Sequence, residues 1–176
     1  MSRIPKLKIE DDVDFTPNLK IKNVPNPQQI YHEIKTLLVE RLTLKESDID
    51  EKLYEHTKLG ESENVRSVIE ARKGKDRFTA IIYKIKIDMK LKPVHKGDIK
   101  FIGDVAISLS ATIETEYPQD TPLQRSIVWD AFRAFYDKTL YKDAKEGYKK
   151  EAVKKLLTLK NEVQAFFDLL PKMVKA

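Results

Sequence analysis

The chain holds three imidazoles, His32, His56 and His95. His32-Glu33-Ile34-Lys35-Thr36 opens like HExxH, the helical spacing that sets two imidazoles and a general base around zinc. Thr36 stands where the second histidine must be. His56 lies close in sequence to Glu55, Asp50 and Glu51, a set with metal-binding chemistry whose ordinary form is an exposed acidic loop. There is no cysteine, which excludes disulfides, thiolate metal sites and cysteine nucleophiles. None of the serines sits in GxSxG. Ser108 and Ser110 fall on a polar strand face with no base nearby in sequence to activate them. Glu114 and Glu116 share one strand face and would support acid–base work if buried, but neighbouring lysines favour surface pairing. Asp104 is expected beside a lysine such as Lys86, as a cross-strand charge pair. Gly60, Gly74, Gly97, Gly103 and Gly147 are scattered, and neither GxGxxG nor GxxxxGK[ST] occurs. The reading is therefore non-enzymatic, with no catalytic residue, metal or cofactor expected.

The charged residues point to surfaces instead. Lys84, Lys86, Lys90 and Lys92 occupy alternating positions, and Lys96 and Lys100 follow. On a strand they line one face about 7 Å apart, a spacing suited to phosphates. No aromatic interleaves to stack bases, and the same row serves equally as a solvated face that resists aggregation. Association with nucleic acid or the ribosome is one expectation. A second basic cluster, Lys142, Lys145, Lys149, Lys150, Lys154, Lys155 and Lys160, lies opposite Ala152, Leu156, Leu159, Val163, Phe166 and Leu170, which form a heptad seam. Such a helix packs on its own domain, pairs with a second copy through residues 146–170, or lies on an anionic membrane. The aromatic group Trp129, Phe132, Phe135, Tyr136, Tyr141 and Tyr148 suits either a plain core or the wall of an apolar cavity with hydroxyl tips.

These residues must be positioned by a chain of 176 residues, suited to one domain. It is 41% hydrophobic and 35% charged, too apolar for a disordered chain and too charged for a membrane-embedded one. The net charge of +5 permits contact with nucleic acid or acidic lipid without demanding it. No apolar run approaches the roughly 20 residues that span a bilayer, and Met1–Lys6 does not open a signal peptide, so a cytoplasmic protein is expected. Abundant charge of both signs, little glycine and no cysteine are thermophile-like.

Period-two alternation is strict from Ile81 to Leu91 and again from Ile99 to Ile113, around a turn at Pro93–Asp98. This predicts one very long antiparallel hairpin over about 77–117, with Gly103 on its apolar face permitting a bend or the close approach of a helix. Asn26 and Pro27 predict a helix start, and Ile30, Ile34, Leu37, Leu38 and Leu42 make its stripe. Thr121, Pro122 and Gln124 predict a second start by capping-box spacing. The helical pattern from 122 to 170 is longer than a domain as one rod, so a break is expected between Lys142 and Gly147. The fold class is α+β, an antiparallel sheet covered by C-terminal helices. Residues 1–18 form an arm or edge segment, 19–141 the α+β domain, and 142–176 an amphipathic helix.

The order of strand, early helix, antiparallel meander and long C-terminal helix over roughly residues 19–141 resembles START-like, or helix-grip, domains. No family motif accompanies that architecture, and the chain has fewer countable strands and an extra helical segment at 146–170. The resemblance implies a sheet wrapped around the C-terminal helix, leaving an apolar cavity for a lipid or other hydrophobic small molecule. The expected walls are Phe101, Val105 and Leu109 on the hairpin and Trp129, Phe132 and Tyr136 on the helix. The expected function is non-catalytic binding of such a ligand. The alternatives are nucleic-acid or anion binding through Lys84, Lys86, Lys90, Lys92 and Lys100, and homodimeric assembly through residues 146–170.

Overall fold

A computed structural model describes residues 6–118, 121–139 and 141–173. In chain order they form β1 (Lys6–Asp12), β2 (Asn18–Pro25), α1 (Gln29–Leu42), β3 (Ile49–Leu59), β4 (Ser62–Gly74), β5 (Thr79–Lys96), β6 (Ile99–Pro118), α2 (Ile127–Thr139) and α3 (Lys142–Met173). All strand pairs are antiparallel, in the order β1-β6-β5-β4-β3. β2 also pairs with β6, so β1 and β2 lie end to end along one edge of it, opposite Thr112–Pro118 and Ile102–Ser108. The chain is thus α+β, with the expected long hairpin at its centre.

The hairpin strands run 18 and 20 residues. They extend to Lys96 and Ile99, so the turn is tighter than the composition suggested, with Gly97 supplying its positive φ of 61°. Odd positions of β5 and β6 point to the helices: Ile81, Tyr83, Ile85, Ile87, Met89 and Leu91 face the same way as Val105, Ile107, Leu109, Ala111 and Ile113, and all are buried. Tyr83 fits because its neighbours in register are Ala71 and Ala111. Gly103 faces this side too, but it admits a strand rather than a helix. A Cβ there would lie 2.4 Å from the Lys90 carbonyl oxygen on β5.

α1 buries its whole expected stripe, and α3 buries Ala152, Leu156, Leu159, Val163, Phe167 and Leu170. The seam thus turns to Phe167 where the heptad pointed to Phe166, which is half-buried. α3 packs on β2, β6 and α1, so residues 146–170 spend their apolar face inside this chain. The helix break falls between Thr139 and Lys142, ahead of the expected 142–147 interval, and α3 runs unbroken through Gly147. Thr121 and Gln124 do form the reciprocal capping box, at 3.1 and 3.3 Å. It caps a single tight turn, however, and Ser126 caps α2, accepting the Trp129 N–H at 3.2 Å. No helix among the described residues is long and apolar enough to cross a membrane.

α3 is anchored at its start by Asp76 in the β4–β5 turn. The Asp76 carboxylate accepts the Phe78 and Thr79 backbone N–H groups at 2.8 and 2.9 Å, the Tyr148 hydroxyl at 3.0 Å, and the Tyr141 hydroxyl. Burial alone would raise its pKa; the Tyr141 hydroxyl, the Phe78 N–H and the other two donors outweigh that and hold it below the ordinary value.

Candidate functional site

Asn26 does not cap α1. Its side chain accepts the Lys100 N–H at 2.9 Å and donates to the Asp98 carbonyl at 3.0 Å, tying the helix entry to the hairpin turn. The N-cap is Gln28, with no side-chain cap bond. α1 therefore starts at the hairpin end of the sheet, and its first turns face β3.

A groove opens there, with a volume of ≈ 380 Å³. Val65, Met89 and Leu91 make an apolar base, while Gln28, Tyr31 and His32 of α1 and Glu51, Tyr54 and His56 of β3 make the walls. On the helix-covered face the other strands carry mainly aliphatic residues, whereas β3 carries Glu51, Tyr54 and His56. A register shift between Glu51 and Leu53 puts these three on one side, opposite Ile69, Ser67 and Val65.

Glu51 organises the polar wall. It accepts the Tyr31 hydroxyl at 2.5 Å and the Ser67 hydroxyl at 3.2 Å, and Lys35 stands 3.8 Å away with its ammonium 4.4 Å from the Tyr31 ring centroid. Burial, then the bond to Glu51, raises the Tyr31 phenol. The hydrogen bond with Tyr31, then the charge of Glu51, raises Lys35 despite burial. Tyr31 meets Tyr54 edge to face at 6.0 Å, and His56 Nε2 lies 2.9 Å from Glu63. Among the described residues no three His, Asp or Glu side chains converge as a metal site. The groove can take an apolar body on its base and a hydrogen-bonding head at Glu51 and the imidazoles.

The expected cavity residues fall in two places. Val105 and Leu109 are buried in the core and Phe101 packs beside it, half-buried. Trp129, Phe132 and Tyr136 instead line a second pocket of ≈ 230 Å³ with Phe78, Tyr117, Gln124 and Arg133. α2 thus sits at the end of the sheet away from the hairpin turn, and the two groups do not share a cavity. Tyr31, Tyr54 and Ser67 were not singled out by sequence as site residues, and Glu51 only as one of the acids near His56. Their only signal is a three-residue step from Glu51 to Tyr54, which a period-two count reads as opposite faces.

The lysine row lies on the face away from the helices. Lys84 pairs with Glu70 at 3.0 Å, and Asp88 interrupts the row, pairing with Arg66 at 2.8 Å. The register sets Asp104 opposite a lysine as expected, Lys90, while Lys86 faces Ser108. Lys100 lies at the start of β6, and the side chains of His95 and Lys96 lie outside the described ones. Glu114 is buried between Arg72 and Lys8, 2.5 Å from the latter. Burial favours its protonation, but Lys8 and Arg72 overcome this and lower its pKa. Ala80, next to Glu114 in register on β5, is small enough for Arg72 to reach across from β4. No protein-family model and no curated protein matches the chain.

Proposed function

We propose that the protein is a non-catalytic binding protein for a small amphipathic molecule, seated in the groove between α1 and strands β3–β5. One observation carries the reading: a carboxylate, Glu51, is held by two hydroxyls at the rim of an apolar-based groove on the mainly aliphatic face of the sheet. A group fixed this way is oriented before a ligand arrives, which reduces the entropy cost of binding. The volume falls in the range of small-molecule sites, about 300–1,000 Å³. The START-like resemblance implies a cavity between sheet and C-terminal helix; the open volume supporting this reading lies beside α1 instead. Native mass spectrometry of freshly purified protein tests it. A discrete added mass, lost in Glu51→Ala, is expected. A clean protomer mass across independent preparations, or an added mass indifferent to Glu51→Ala, overturns it.

A second reading seats a nucleic acid on the opposite face. It is favoured by Lys86 and Lys90 standing exposed on this face, Lys86 opposite the small Ser108, although Asp104 stands opposite Lys90. It requires affinity that falls steeply with salt; binding absent at low salt rejects it.

A further inference from the structure

We infer that α2 is a membrane-surface helix that docks this protein on an anionic bilayer. Five large apolar side chains stand in solvent on or just before this helix: Ile127 is 87% exposed, Val128 79%, Leu123 67%, Phe135 61% and Phe132 55%. The core of the chain does not use them. At 100° per residue, Ile127, Phe135, Val128 and Phe132 cover an arc of about 140°, a broad apolar face. A coiled-coil seam is narrower and runs for at least three or four heptads. α2 has 13 residues, about 20 Å, so helix pairing with a second copy is the poorer match.

Charge favours an anionic surface as the occupant. Among the described side chains this apolar face carries no carboxylate, because Asp130 turns toward Arg133, 3.6 Å away. Lys138, one turn beyond Phe135, converges with Lys142, Lys145 and Lys149 on a basic pocket shared with Asp11 and Glu146. Lys149 pairs with Asp11 at 2.7 Å and Lys142 with Glu146 at 3.8 Å, while Lys138 stands exposed beside the apolar face. Long lysine stems can lie along the interface with their heads at lipid phosphates while the apolar face enters the acyl boundary. Trp129 and Tyr136 flank that face, and aromatic rings with one polar tip suit this depth.

The inference is independent of the α1–β3 groove, and either can fail without the other. Trp129 is the single tryptophan and lies on α2, so its emission reports docking directly. The full chain is floated with vesicles of phosphatidylcholine alone or with phosphatidylglycerol. Co-flotation and a blue-shifted Trp129 emission are expected with the anionic vesicles, weakening with added salt. Ile127→Glu/Phe135→Glu alters exposed positions only, so the fold survives, as circular dichroism and the urea midpoint will register. It is expected to weaken partitioning at least roughly tenfold. Lys138→Glu/Lys142→Glu is expected to abolish the preference for anionic over neutral vesicles. The inference is overturned if anionic vesicles do not carry the protein at low salt, or if Ile127→Glu/Phe135→Glu floats like the parent. A dimer in sedimentation that the same variant dissolves also overturns it, by assigning the face to a second copy.

Discussion

Replacing Asp76 by alanine removes one carboxylate and, with it, the acceptor for four donors. Two are backbone N–H groups that shape the β4–β5 turn, and two are hydroxyls from the start of α3. Hydrogen bonds to a charged group each contribute about 1.5–3 kcal/mol when shielded. Asp76 is exposed, water can replace part of each bond, and the four share one acceptor, so the sum is far from additive. The expected cost is about 2–3 kcal/mol, a urea midpoint lower by roughly 1 M for an m-value near 2 kcal/mol/M. Tyr141→Phe alone should cost less, because the Thr79 hydroxyl 3.0 Å away loses only one of its contacts. The double variant should show a coupling of about 1 kcal/mol. The pH dependence has a fixed sign. The folded pKa of Asp76 is depressed, so its contribution is complete above the unfolded value near 3.9 and disappears as pH falls through the folded one. The gap between parent and Asp76→Ala must therefore close in acid. An unchanged urea midpoint, zero coupling, or a gap that widens as pH drops would refute the assignment of Asp76 as the anchor of α3.

Tyr83→Phe should be neutral or stabilising by up to about 1 kcal/mol in urea denaturation, because the Tyr83 hydroxyl is buried without a hydrogen-bond partner among the described residues. Gly103→Ala should destabilise by about 2 kcal/mol or more, since its Cβ would meet the Lys90 carbonyl and must push the central strands apart. A thermal midpoint equal to the parent's would show that β5 gives way freely. Glu114→Gln should cost about 1–2 kcal/mol at neutral pH. Arg72 and Lys8 are both 48% exposed, so neither is stranded in the core when the charge goes. The deficit should shrink in acid as the parent's own carboxylate protonates, its folded pKa being depressed.

The hairpin was legible because alternation is a local property: each odd side chain from Ile81 to Leu91 meets the same environment, so pattern and structure coincide. The groove was not, for two physical reasons. The register shift at Lys52 breaks the period-two relation that would place Glu51 and Tyr54 on one face. Moreover, Tyr31 and Glu51 lie on different elements, and nothing in either segment states that α1 crosses to β3 rather than elsewhere. Asn26 shows the same difficulty. Its type and position suit a cap, but a hairpin turn 72 residues onward offers its amide a better set of partners.

Which of the two C-terminal helices covers the sheet is the most instructive case, because length alone decides it. The strands β5 and β6 run 18 and 20 residues, and their buried aliphatic rows, Ile81–Leu91 and Val105–Ile113, span about 30–35 Å at strand rise. A 13-residue helix covers about 20 Å and leaves a third or more of such a row wet. Among the described C-terminal elements α3, at 32 residues or about 48 Å, is the one on the scale of the sheet. It shares the work with the 14 residues of α1. Aromatic content made Trp129, Phe132 and Tyr136 the expected cavity wall, yet aromatics are not confined to cores, and the face of α2 is broader and more exposed than a core contact requires. Once α3 and α1 fill the aliphatic face, α2 is displaced to the end of the sheet, and its apolar residues have no partner within the chain's core. The exposed aromatic helix follows from the same length argument that makes α3 the cover, and the polar groove follows from α1 ending its reach at β3.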